Sequence, residues 1–187
     1  MKIGVFSGSA RPERKSHNAA LEVIKRLNKR DGIETELFDV KELNLPLLDN
    51  PIYWMDEVPA KIKQLSERMH KQDAFVIVTP EHNGSYFGAL KNTLDYFGPE
   101  YTKKAIGIVA ASSGMLGGAN AVRELQLWAL KINCIPAPQF HISPKIQDLF
   151  DDDNNLKDEN YGKLMEKFLD SFLWLANALK AARDKDQ

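Results

Sequence analysis

Cysteine is almost missing from this chain: its 187 residues hold one, Cys134. That excludes an internal disulfide framework and a cysteine zinc cluster. The run Asn133-Cys134-Ile135 reads as strand, so the thiol is expected to be buried and inert. An excess of one charge is also lacking. Lys and Arg total 25 against 26 for Asp and Glu, a formal net charge of -1. This disfavours a general nucleic-acid binder and a polybasic membrane-surface protein. No apolar run is long enough to span a membrane, and Met1-Lys2 leads straight into an apolar stretch. No membrane association and a cytoplasmic location are expected. There is no H-E-x-x-H, no cluster with metal-ligand spacing and no G-x-x-x-x-G-K-[ST] loop. A hydrophobic share of 43% beside a charged share of 27% leaves an ordinary globular chain. It suits a single domain over residues 1–187 with one sizeable core.

What is present is alternation. Short apolar runs at Ile3–Phe6, Ile33–Phe38, Ala74–Val78 and Ala105–Ala110 read as strands. A last strand lies within Cys134–Ile142, broken by Pro136 and Pro138. Helical periodicity lies between them: about Ser16–Asn28, a helix opened by Asp56-Glu57-Val58-Pro59, one from Phe87 to Phe97, and Ala119–Lys131. A final stripe runs from Tyr161 to Leu179, with Ala182–Gln187 expected to fray. Lys41–Met55 has two prolines and no period, so it reads as an irregular loop, apolar enough to form a satellite cluster, a pocket wall or a subunit contact. The β-α alternation gives an α/β fold: a flavodoxin-like three-layer sandwich, five parallel strands in the order 2-1-3-4-5 with helices on both faces. In that order the loops after strands 1, 3 and 4 meet at one rim.

Those three loops have unusual compositions. The first, Gly8-Ser9-Ala10-Arg11 through Ser16-His17-Asn18, joins a strand to a helix start. A helix N-terminus with serine, asparagine and arginine donors suits a terminal phosphate. Its plain alternative is a solvated turn with Ser16 as helix cap. The second, Thr79 to Ser85, carries Pro80, Glu81, His82 and Asn83, whose backbone and side chains can border a flat ring. The third, Ser112 to Gly118, has Gly114, Gly117 and Gly118, which let main chain pass close beneath such a ring. A planar heterocycle bearing a phosphate fits all three, and FMN is the natural candidate. Glu81 reads first as a helix-start acid or the neighbour of a basic group, ahead of a catalytic base. His17, His70 and His141 are assigned no site.

These same stretches, with Gly88-Ala89-Leu90-Lys91-Asn92-Thr93-Leu94-Asp95, resemble the NADPH-dependent FMN reductase family over roughly Met1 to Phe140. Leu45-Pro46-Leu47 resembles that family's segment after strand 2. The resemblance implies that Ser9, Arg11, Ser16 and Asn18 hold the FMN phosphate. It implies that Pro80, Glu81, His82 and Asn83 border the isoalloxazine, with Ser112, Gly114 and Gly117 near its other polar edge. One departure is His82, where the family more often has tyrosine. The implied activity is hydride transfer from NADPH or NADH through FMN to a small acceptor such as a quinone, azo compound, flavin or chromate-like oxyanion, in ping-pong fashion and with no catalytic side chain. The implied assembly is a homodimer or homotetramer. An electron carrier or redox regulator acting on a protein partner is the alternative; the near-zero net charge disfavours a carrier.

Overall fold

Period-two alternation within the apolar runs divides the core into two halves. In the computed structural model, which describes residues 1–185, β1 (Lys2–Ser7) gives Ile3 and Val5 to one face and Phe6 to the other. β3 (Ala74–His82) and β5 (Ala105–Ala111) divide in the same way, Val76 and Val109 against Ile77 and Ile108. The first face is covered by α1 (Ser16–Leu27) and α6 (Glu159–Lys185). The second is covered by α3 (Ala60–His70), α4 (Gly88–Asp95) and α5 (Ala119–Lys131). Both faces being dry explains why the middles of these strands lack polar residues. Gly107 lets α6 approach the middle of β5: a Cβ there would stand 2.9 Å from the Phe168 ring and 3.0 Å from that of Phe172. Each of those rings, fully buried, contributes about 2 kcal/mol.

The sheet runs β2 (Glu34–Asp39), β1, β3, β5, β6 (Ile135–Pro136), all parallel. β7 (His141–Ser143) also pairs with β5, and β4 (Ser85–Tyr86) pairs antiparallel with the end of β3. The expected count of five strands therefore becomes seven. Two prolines that cannot donate to a ladder split the fifth position into β6 and β7.

Other boundaries need correction. The second strand begins at Glu34, not Ile33, where its N–H meets the Met1 carbonyl at 3.0 Å. The stretch read as an irregular loop contains α2 (Val40–Leu43) and a 3-10 turn at Ile52–Trp54. Asp39 nucleates α2 by accepting from the Lys41 N–H at 3.0 Å. Asp56 caps nothing: α3 starts at Ala60 behind Pro59. Ser16 is not a cap either, since Lys15 holds that position without a side-chain bond. Thr79–Ser85 is not all loop, because β3 continues to His82 and turns back at Asn83-Gly84. Both turn residues have positive φ, 50° and 81°, as tight hairpins require. α6 continues through Ala182 to Lys185; Asp186 and Gln187 lie outside the described residues.

His141 is buried, its Nε2 without a partner, with the Tyr161 ring edge-on at 4.5 Å. Burial, aided by the nearby Arg26 charge, pushes its pKa down to about 4. Folding then favours the neutral ring. The unfolded chain binds the proton first, near pH 6.5. His141 should therefore stabilise the fold fully above pH 6.5, and that contribution should be lost as pH falls toward 4, by about 3 kcal/mol in all. Denaturation of the wild type and His141→Phe across this range should show a shallower pH slope in the variant. Parallel curves would refute the assignment.

Candidate functional site

The C-terminal ends of β1, β3 and β5 open onto a cleft of about 510 Å³, a size typical of small-molecule sites. Ser9, Arg11 and Ser16 line it from the first loop, Pro80 and Glu81 from the end of β3, and Ser112 and Ser113 from the third loop. Ile146 and Gln147, from a short turn after β7, complete the wall.

The first loop is held from below. Gly8 N–H donates to the Val78 carbonyl at 2.7 Å, tying the loop to β3. Arg14 forms a two-pronged ion pair with Asp39 at the end of β2, both contacts 2.5 Å, and Arg14 Nη1 also donates to the Ser9 carbonyl at 2.8 Å. His17 Nδ1 lies 2.9 Å from Ser7 Oγ and 3.7 Å from Asp39. Burial and the Arg14 charge lower the His17 pKa against the pull of Asp39 and Glu42. Arg14 is thus committed to the protein. Arg11 is exposed, and no hydrogen bond or ion pair engages its side chain among the described residues. An open arginine, buried Ser9 and Ser16, and the start of α1 form a donor set that suits a phosphate.

The second loop is a hairpin. The Glu81 carboxylate turns away to the start of α5, meeting Asn120 N–H at 3.0 Å. His82 is exposed, with its ring 6.0 Å from that of Phe87 and roughly perpendicular to it. Asn83, at the hairpin tip, is exposed too. The third loop is laced to β7: Ser112 N–H donates to the Ser143 carbonyl at 3.1 Å, and Ser143 N–H to the Gly117 carbonyl at 3.4 Å. The tightness at Gly117 faces Ile142 and Pro144, not open space, whereas Gly114 is exposed. Ser143 Oγ in turn meets Tyr161 Oη at 2.8 Å.

Six residues singled out from the sequence, Ser9, Arg11, Ser16, Pro80, Glu81 and Ser112, line the one cleft. Asn18, His82, Asn83, Gly114 and Gly117 stand outside its wall, on the same loops or the first turn of α1. Sequence reasoning missed Arg14 with Asp39, and the lining by Ile146 and Gln147. The only sequence signal for the pair was an arginine in the loop and an aspartate closing a strand.

Residues 1–147 match the family model described as NADPH-dependent FMN reductase. The chain belongs to that family. It is 35% identical over 120 residues to an FMN-dependent NADPH-azoreductase of Staphylococcus aureus; the match spans 62% of this chain and 63% of that relative's length. In structure it is similar to FerB of Paracoccus denitrificans, a flavoenzyme NAD(P)H:(acceptor) oxidoreductase, with TM-score 0.78, 26% identity and coverage of 95% and 97% of the two chains. A Methanothermobacter marburgensis NAD(P)H:quinone oxidoreductase shares the fold at TM-score 0.64 and 12% identity, covering 95% and 98%. Two segments of the family resemblance grip each other. Asn92 Nδ2 donates to the Pro46 carbonyl at 2.8 Å, and Asn92 Oδ1 accepts from Leu48 N–H at 2.9 Å. That asparagine fixes the segment after β2 against α4. Among the described residues no helix is long and apolar enough to cross a membrane, and no group of His, Cys, Asp and Glu could hold a metal ion.

Proposed function

We propose that this family member oxidises NADPH or NADH and passes the hydride through FMN to a small acceptor, in a ping-pong cycle. The carrying observation is the Arg11 side chain, unpaired among the described residues, beside Ser9, Ser16 and Ser112 in a cleft built by all three loops. In this reading Ser9, Arg11, Ser16 and Asn18 bind the phosphate. Pro80, Glu81, His82 and Asn83 border the ring on the hairpin side, and Ser112, Gly114 and Gly117 on the other. Bound FMN supplies the hydride chemistry. The side chains orient the ring and leave one face open, and none is assigned as acid or base. Residues 1–187 act as one flavodoxin-like unit, and the use of NADPH suits the cytoplasm.

The acceptor is a quinone, an azo compound, free flavin or a chromate-like oxyanion; the name of the azoreductase relative favours the azo compound. The protein is further proposed to be a homodimer or homotetramer. Support comes from Trp54, Leu127 and Leu130, each well over half exposed, an unusual load of apolar surface for a monomer. One experiment addresses the flavin reading and the assembly. Reconstituted with FMN, the protein should elute yellow in light scattering at a multiple of the 21.1 kDa chain mass, and NADPH should bleach it within minutes. A protein that refuses FMN in excess overturns the function, and a 21.1 kDa species overturns the assembly.

A further inference from the structure

Glu81 belongs to two neighbourhoods. The residue lines the cleft next to Pro80. Its side chain, however, is spent on the first turn of α5. One carboxylate oxygen accepts from the Asn120 N–H at 3.0 Å and the Ala121 N–H at 3.4 Å, and the other accepts from Asn120 Nδ2 at 3.2 Å. α5 requires an outside acceptor, because its cap position is Gly118, left-handed and without a side chain. The carboxylate therefore fastens the β3–β4 hairpin to the helix that leaves the third loop. It also sets a full negative charge against the positive end of that helix, beside the loop that carries Gly114 and Gly117.

We propose that Glu81 is a positioning residue that sets the redox poise of the flavin: it fixes the gap between hairpin and third loop and masks the α5 dipole from the ring. The proposal rests on the FMN reading above. Reduced flavin carries negative charge on its ring, so an uncovered helix N-terminus would favour the reduced form, and a carboxylate there favours the oxidised form. Glu81→Gln keeps one oxygen for the Asn120 N–H and deletes the charge. Asn120→Lys leaves Glu81 in place and adds a positive charge at the same helix start.

The test is the ratio of two dissociation constants, measured by titrating the apoprotein with FMN and, without oxygen, with chemically reduced FMN. Glu81→Gln should lower the reduced-to-oxidised ratio about fivefold, the scale of one charge at a helix terminus. Asn120→Lys should lower it too. Glu81→Asp, which keeps the charge on a shorter arm, should weaken both forms and hold the ratio. A purely structural contact would change both affinities together. The proposal is overturned if Glu81→Gln leaves the ratio within twofold of the wild type, whatever Asn120→Lys does, or if Glu81→Asp shifts it as far as Glu81→Gln does. If the wild-type protein binds neither form, the FMN reading falls and takes this one with it. An unmoved ratio in a flavin-binding protein removes the Glu81 role alone.

Discussion

Asp39→Ala is expected to destabilise the protein by about 3–5 kcal/mol, and to weaken FMN binding at least tenfold. The side chains of Arg14 and Asp39 are only 11% and 10% exposed. Removing the carboxylate leaves a guanidinium without its partner in a nearly dry place. The same change takes the cap from α2 and the neighbouring charge from His17. Arg14 also donates to the Ser9 carbonyl, so the disturbance passes directly to the first loop. For a chain of this length the loss should lower the melting temperature by roughly 10 °C. The double variant Arg14→Leu/Asp39→Leu separates the two effects. Its stability should largely return, because apolar pairs replace buried ion pairs well. Its FMN affinity should stay low, because the Ser9 carbonyl then lacks its Arg14 donor. A single variant within 1 kcal/mol of the wild type would show that the pair carries little weight.

Gly118→Ala should cost about 2–4 kcal/mol, more than one added methyl group suggests. Gly118 has φ +94°, and an added Cβ would stand 2.8 Å from Ala110 Cβ and 3.0 Å from the Ala111 nitrogen. Those atoms belong to β5, an inner strand of the sheet, and cannot retreat as a flexible side-chain tip could. Gly32→Ala is the control: its φ is +73°, but nothing lies within 4 Å. It should cost only about 1 kcal/mol, the strain of the backbone alone. Urea denaturation of both variants measures the difference. Equal losses would mean that conformation, not close approach, dictates the glycine before α5.

Much of this was legible in the residues. The parallel order could be read because dry strands such as Ala74–Val78 are continuous apolar runs and the helices between them are periodic. The gathering of Ser9, Pro80 and Ser112 followed from that order alone. The extension of β3 through His82 was not legible: Pro80, Glu81 and His82 have the composition of a loop, and only pairing with Ser85 and Tyr86 makes them strand. Asp56 carried a cap signature that the chain ignores, since Pro59 fixes the helix start three residues later. Arg14 sits three residues from Arg11 on the same loop. What separates them is Asp39, 25 residues away, a tertiary fact that local spacing does not carry.

The family match stops at residue 147, yet α6 begins only at Glu159. Phe168 and Phe172 from this unmatched tail fill the hollow above Gly107, and Tyr161 steadies Ser143, which in turn clasps both ends of the third loop. The segment outside the family match is thus wired to the rim of the cleft. A change in the tail can reach the third loop through Tyr161 and Ser143, and a fragment cut at the family boundary would lose one wall of its own interior.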